Sequence, residues 1–253
     1  MADEALMPRR SGVARDKRLL LTLMVMGLVA VGTLGFTRLE TVLPPGITVP
    51  RVLLMIQPAI LVTLATVLGW WLAPKTGLGA PLLTAMLDGR EWRKVLRPAL
   101  LPVAAVSVIS ASILVGYSAY VEGQVTLPGP IGKLQIPAIT RLGYGGIGEE
   151  LIARWGVLTA VLAAAMRLGV PRGTGFWSAN GVAALLFAAG HLGLLFTLIP
   201  HPPLWLVAMV MAGNIVPALG FGWLYRRDGI EAAMLAHAGA HLLALLAVAA
   251  GLG

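Results

Sequence analysis

Leu19-Leu20-Leu21-Thr22-Leu23-Met24-Val25-Met26-Gly27-Leu28-Val29-Ala30-Val31-Gly32-Thr33-Leu34-Gly35-Phe36 decides the fold class. The run carries no charge, and its length is close to the roughly 20 apolar residues that an α-helix needs to cross a bilayer. Arg9, Arg10, Arg15, Lys17 and Arg18 precede it, as in a secretory leader, but the apolar core is long and lacks a small-x-small cleavage site. It reads as a retained anchor. Outward from this run, further apolar blocks stand near 52–73, 98–118, 138–166, 177–198, 204–224 and 231–250, separated by Pro, Gly or charge clusters. The expected fold is an all-α, polytopic transmembrane helical bundle of about seven spans, seven to eight at most. Between the second and third blocks, the charged stretch from Lys75 to Arg97, with Trp92 in it, reads as an interfacial loop or short surface helix. Pro44-Pro45-Gly46 and Pro128-Gly129-Pro130 are too polar to add a span.

Composition agrees. Of 253 residues, 58% are hydrophobic and 12% charged, and the mean hydropathy is +0.85; soluble domains carry about 25% charged residues. Disorder is excluded by the same numbers. The absence of cysteine removes a thiol nucleophile, thiolate metal ligands and disulfides. A net charge of +8 does not indicate nucleic acid, because the Lys and Arg residues sit between apolar blocks instead of gathering on one face. With the N-terminus in the cytoplasm, most of the basic residues fall in inner segments, among them Lys75, Arg90, Arg93, Lys94, Arg97, Arg167, Arg172, Arg226 and Arg227; Arg38, Arg51 and Lys133 fall outside. This is the positive-inside pattern, and seven spans leave Gly251-Leu252-Gly253 on the outer side. The partner implied is the lipid bilayer.

An ionisable group deep in hydrocarbon costs at least about 2.5–3.5 kcal/mol, so its presence needs a reason. Only Glu149 and Glu150 of the 11 acidic residues lie well inside an apolar block, in Gly148-Glu149-Glu150-Leu151-Ile152-Ala153-Arg154. Three of the 4 histidines do the same: His191, after Phe187-Ala188-Ala189-Gly190, and the pair in His237-Ala238-Gly239-Ala240-His241. Glu150 and Arg154, at i and i+4, share a helix face and can neutralise each other. Glu149 lies roughly 100° around the helix from Glu150, which makes it the better candidate for a base. A structural Glu-Arg bridge between helices is the plain alternative. His237 and His241 again share a face and can act on one atom or one oxyanion. Asn214, before Pro217, is read as satisfying backbone freed by that proline or linking helices. His201, in a proline-rich turn, reads as solvated. Ser107, Ser110 and Ser112 have no base in their span and read as helix-packing groups. The glycines at 143, 145, 146 and 148 allow a turn or a close helix approach.

These motifs resemble those of the CAAX protease and bacteriocin-processing family, also called Abi, of glutamate-dependent intramembrane endopeptidases. The pattern Glu-Glu-x-x-x-Arg falls on Glu149, Glu150 and Arg154; Phe-x-x-x-His on Phe187 and His191; and His-x-x-x-Asn on His237, with His241 where the family has an amide. Gly222 to Gly229 also looks like the family's approach to its last helix, and the likeness covers about residues 145–245. It implies a basic cytoplasmic tail at 1–18, N-terminal helices and loops at 19–136, and the core helices of a CAAX protease-like domain at 137–253. It further implies peptide-bond hydrolysis of a membrane-embedded or membrane-tethered peptide with a hydrophobic segment. Glu149 and His191 would polarise a water while His237 and His241 stabilise the oxyanion. Catalytic candidates are Glu149, Glu150, Arg154, His191, His237 and His241, with no cofactor, in a prokaryotic plasma membrane.

The departure at His241 opens a second reading, in which Glu149, His191, His237 and His241 form a three-His, one-carboxylate zinc site. Two others stand beside it: a non-catalytic immunity or scaffold protein of the same fold, and a proton-coupled carrier, for which no inverted repeat is evident.

Overall fold

The computed structural model describes residues 16–37, 50–124, 136–199 and 201–252. The stretches at 44–46 and 128–130, Arg38, Lys133 and the tail arginines 9, 10 and 15 lie outside the described residues. Among those described there are eight helices and no strand. Helix α1 spans Lys17–Gly32 and continues as a 3-10 turn, Thr33–Phe36; α2 is Arg51–Thr76, α3 Pro81–Leu87 and α4 Trp92–Gln124. Helix α5 covers 138–167 without a break, α6 is Arg172–Leu198, α7 Leu204–Asp228 and α8 Ile230–Ala249. The short α3 occupies the charged stretch expected to be a loop or surface helix.

By length and apolarity 6 helices could cross a bilayer: α1 with its 3-10 turn, α2, α4, α6, α7 and α8. The expected count of about seven is reached when α5 is added. That helix differs in winding: it is α-helical at Ala138–Thr140, wider with i→i+5 bonding over Arg141–Glu149 and Leu151–Leu158, and α-helical again from Thr159 to Arg167. Such winding is rare and tends to occur at functional positions. It falls here on the segment that holds Glu149, Glu150 and Arg154.

Sequence chemistry sets the helix ends. Asp16 caps α1 by accepting from Arg18 N at 2.8 Å. Pro50, Pro171 and Pro203 stand just before α2, α6 and α7, and Pro81 opens α3, where a missing N–H costs nothing. Between α7 and α8 the only residue is Gly229, at φ +98°, a backbone that a side chain would strain. A Cβ there would also run into Pro81, and the next residue, Ile230, donates its N–H to Gly79 O at 3.0 Å.

Helices α5 and α8 form the centre. Helix α8 packs against α4, α7 and the first half of α5, while α1, α2 and α6 cover the other faces of α5. Polar pins cross the contacts: Trp155 Nε1 donates to Thr66 O at 3.0 Å, Thr159 and Tyr225 hydroxyls meet at 2.9 Å, and Ser107 Oγ reaches both Val103 O at 2.8 Å and Ala236 O at 3.2 Å. The packing use expected of Ser107 is thus what the structure shows, whereas Ser112 is exposed. Leu21, Leu101, Leu186 and Leu246 point outward in an apolar belt far larger than the patches soluble monomers tolerate. The chain is an integral membrane protein.

Candidate active site

The wide winding of α5 places two adjacent carboxylates on different surroundings. Glu150 is fully buried, 0% exposed, and its Oε1 accepts from Arg154 Nη1 at 2.8 Å. Arg154, 1% exposed, spends Nη2 on Ala218 O of α7 at 3.0 Å, and its guanidinium lies over the rings of Phe187 at 4.8 Å and Phe221 at 5.4 Å. The ion pair read from the i,i+4 spacing is therefore formed, and it is desolvated on every side. Glu149, by contrast, keeps 23% of its side chain exposed and lines a cavity of about 590 Å³. That volume is in the range of small-ligand sites.

Helix α8 brings His237 between the two carboxylates. Its Nδ1 lies 2.8 Å from Glu150 Oε1 and its Nε2 4.0 Å from Glu149 Oε2. A carboxylate only accepts, so Nδ1 carries the hydrogen. The imidazole is then an acceptor at Nε2 when neutral and a donor there only as imidazolium, which narrows the expectation that it donates in any tautomer. Its plane is fixed by stacking on Phe221, with ring centroids 4.7 Å apart, and on His241, at 5.0 Å.

His191, on α6, is set by its own helix: Nδ1 donates to the Phe187 carbonyl at 2.9 Å, leaving Nε2 with the lone pair in the neutral ring. Phe187 packs edge-on against both His191 and His237. Glu149, His191, His237 and His241 all line the same cavity, whereas Glu150 and Arg154 sit behind its wall. Gly145 is what admits His241, since a Cβ there would stand 3.0 Å from its Nε2.

Two residues fare differently from their sequence readings. Asn214 lines the cavity, but its Nδ2 donates to Val210 O at 2.8 Å, one turn back on its own helix, and not to the Gly213 carbonyl that Pro217 leaves free. Ser110, read as a packing group, faces the cavity with its hydroxyl unpartnered among the described residues. His201 is exposed, as its turn suggested. Arg141 and Tyr144, on the cavity wall, were not singled out from sequence. The available signal was spacing: Arg141, Gly145 and Glu149 recur every four residues along one helix. Among the described residues no group of three or more His, Cys, Asp or Glu side chains is arranged to hold a metal ion.

A polytopic helical membrane protein with a buried Glu/His cluster on an internal cavity is the class that fold and site define. More particularly, residues 134–243 match a family model described as Rce1-like, type II CAAX prenyl endopeptidase Rce1-like. This segment contains every one of the motif residues that carried the resemblance to the CAAX protease family, and the match supports it. No curated protein and no solved structure matches the chain.

Proposed function

We propose that the protein is an intramembrane endopeptidase that hydrolyses a peptide bond of a membrane-embedded or membrane-tethered peptide with a Glu149-activated water. The single observation that carries this reading is the convergence of Glu149, His191, His237 and His241 on one cavity, inside the segment similar to CAAX prenyl endopeptidases. An oxygen atom about 2.8 Å from both Glu149 Oε2 and His237 Nε2 spans their 4.0 Å separation at an angle near 90°, a geometry open to water or to an oxyanion. Glu149 takes one proton of the water as its oxygen attacks the scissile carbonyl carbon. The lone pair of His191 Nε2 orients that water, and imidazolium His237, with His241 stacked beside it, faces the developing oxyanion. The C–N bond then breaks, and the proton held by Glu149 passes to the departing amine.

Glu150 and Arg154 are positioning residues in this scheme. Glu150 holds the His237 ring by its Nδ1–H and stabilises the imidazolium, as the buried carboxylate does in serine-protease triads. Arg154 neutralises Glu150 and ties it to α7.

Purified protein in lipid nanodiscs, given a fluorogenic peptide with a hydrophobic anchor, tests the reading. Glu149→Gln keeps the shape of the side chain, and cleavage at the wild-type rate would show that Glu149 is not the base. Activity that disappears with a chelator and returns with zinc would replace the glutamate mechanism by the metal-dependent one. A cellular phenotype that persists in Glu149→Gln and His191→Ala would favour the immunity or scaffold reading.

A further inference from the structure

Arg141 is the one charged group on the cavity wall that the mechanism above leaves unused besides its own helical neighbours. It lies near the start of α5, two turns before Glu149, and its Nε donates to Ile136 O at 3.1 Å. No carboxylate among the described residues pairs with it, and the walls around it, from Ile113, Leu114, Leu194 and Met209, are apolar. A guanidinium kept half-buried in such a place, with donors left over, suits an anion brought in by a ligand, and a carboxylate matches its planar fork.

The distance to the base limits what that anion can be. Eight residues separate Arg141 from Glu149 on one helix, roughly 12 Å along the axis at α-helical rise and less in the wider winding. An extended peptide advances about 3.3–3.6 Å per residue, so a chain end held at Arg141 would place a peptide bond about three residues upstream beside Glu149. We propose that Arg141 binds the free C-terminal carboxylate of the substrate, so that the cavity measures a short tail from its end and cuts at a fixed distance from it. The proposal rests on the protease reading. It gives the site a substrate class: peptides with a free α-carboxylate and a hydrophobic anchor just upstream of the cut.

The test uses two fluorescein-labelled peptides that end in S-farnesyl cysteine followed by three apolar residues, one with a free carboxylate and one with a carboxamide. Binding is measured to the full-length Glu149→Gln protein, where cleavage plays no part, and kcat/KM to the wild type. The free acid is expected to bind and react about tenfold or more better than the amide, a ratio that Arg141→Gln brings close to one while leaving the amide unchanged and that Arg141→Lys partly retains. Equal handling of acid and amide by the wild type would overturn the proposal, as would an acid preference that survives Arg141→Gln or an equal loss for both peptides. A ratio near one together with Arg141-dependent stimulation by phosphatidylglycerol would assign the arginine to a lipid phosphate instead. Failure of the protease reading shows separately, as unchanged cleavage in Glu149→Gln, whereas the binding ratio reports on Arg141 alone.

Discussion

Glu149 and Glu150 are chain neighbours with the same functional group, and their surroundings separate them into different tasks. Glu149 opens onto the cavity and contributes little to packing, so Glu149→Gln is expected to lower peptide cleavage by roughly 10²–10⁴-fold while leaving the unfolding midpoint unchanged. Glu150 and Arg154 are a buried pair, for which removing one partner strands the other in an apolar interior. Arg154→Met is therefore expected to cost about 3–5 kcal/mol in denaturant unfolding, and adding Glu150→Gln to it should recover part of that loss. A loss in Arg154→Met below about 1 kcal/mol would mean that the pair is not desolvated as described. Sequence spacing gave this pair its partners, because i and i+4 positions meet within one helix. The contact between Glu150 and His237 was beyond its reach: it joins two helices 87 positions apart, and nothing in either motif says which ring nitrogen faces which carboxylate.

At the scale of the helix, the site depends on how closely α5 and α8 approach. Gly146 faces Ala238, where a Cβ would lie 2.7 Å from the Ala238 Cβ and 3.1 Å from its Cα. Backbone cannot yield there, so Gly146→Ala is expected to push α8 outward, move His237 and His241 relative to Glu149, and lower kcat at least tenfold by misplacement of the reacting groups. Gly181 on α6 has open space where its Cβ would stand, and Gly181→Ala should be neutral or stabilise by about 0.5–1 kcal/mol. Equal activity of the two variants would show that the α5–α8 spacing does not control the site. Helix positions were readable from sequence to within a few residues because each span is bounded by Pro, Gly or charge. The wide winding of α5 was not, since a helix that is apolar on nearly all sides has no periodicity to reveal how many residues make a turn. That is also why Arg141 and Tyr144 escaped notice as wall residues while Glu149 did not: assigning a face requires the winding, whereas a carboxylate in an apolar run stands out without it.

Across the whole molecule, the cavity and the basic residues occupy opposite ends of the bundle. Wall residues come from the end of α1 (Leu34, Thr37), the second half of α4 (Tyr117), the start of α5 (Arg141), the second half of α6 (Leu194) and the first half of α7 (Met209). Lys17, Arg18, Lys75, Arg90, Arg167, Arg172 and Arg226 stand at the other ends of the same helices or in the adjoining connections. Each end is tied internally: Arg18 reaches Asp88 at 3.0 Å and Ile230 N reaches Gly79 O at the basic end, while Thr140 Oγ1 donates to Thr33 O at 2.6 Å at the cavity end. Basic loops face the cytoplasm, so the cavity belongs to the opposite half of the membrane, and a substrate tail would enter from the outer side. The natural absence of cysteine makes this directly measurable with single-cysteine variants. In intact cells a membrane-impermeant maleimide is expected to label Leu204→Cys, exposed at the start of α7, and to label Glu91→Cys only after permeabilisation. Leu194→Cys, on the cavity wall, should react from the same side as Leu204→Cys and be protected by a bound peptide. The reverse order of labelling would turn the protein over in the membrane and deliver its substrate from the cytoplasm, leaving the chemistry of Glu149 intact but changing every peptide that could reach it.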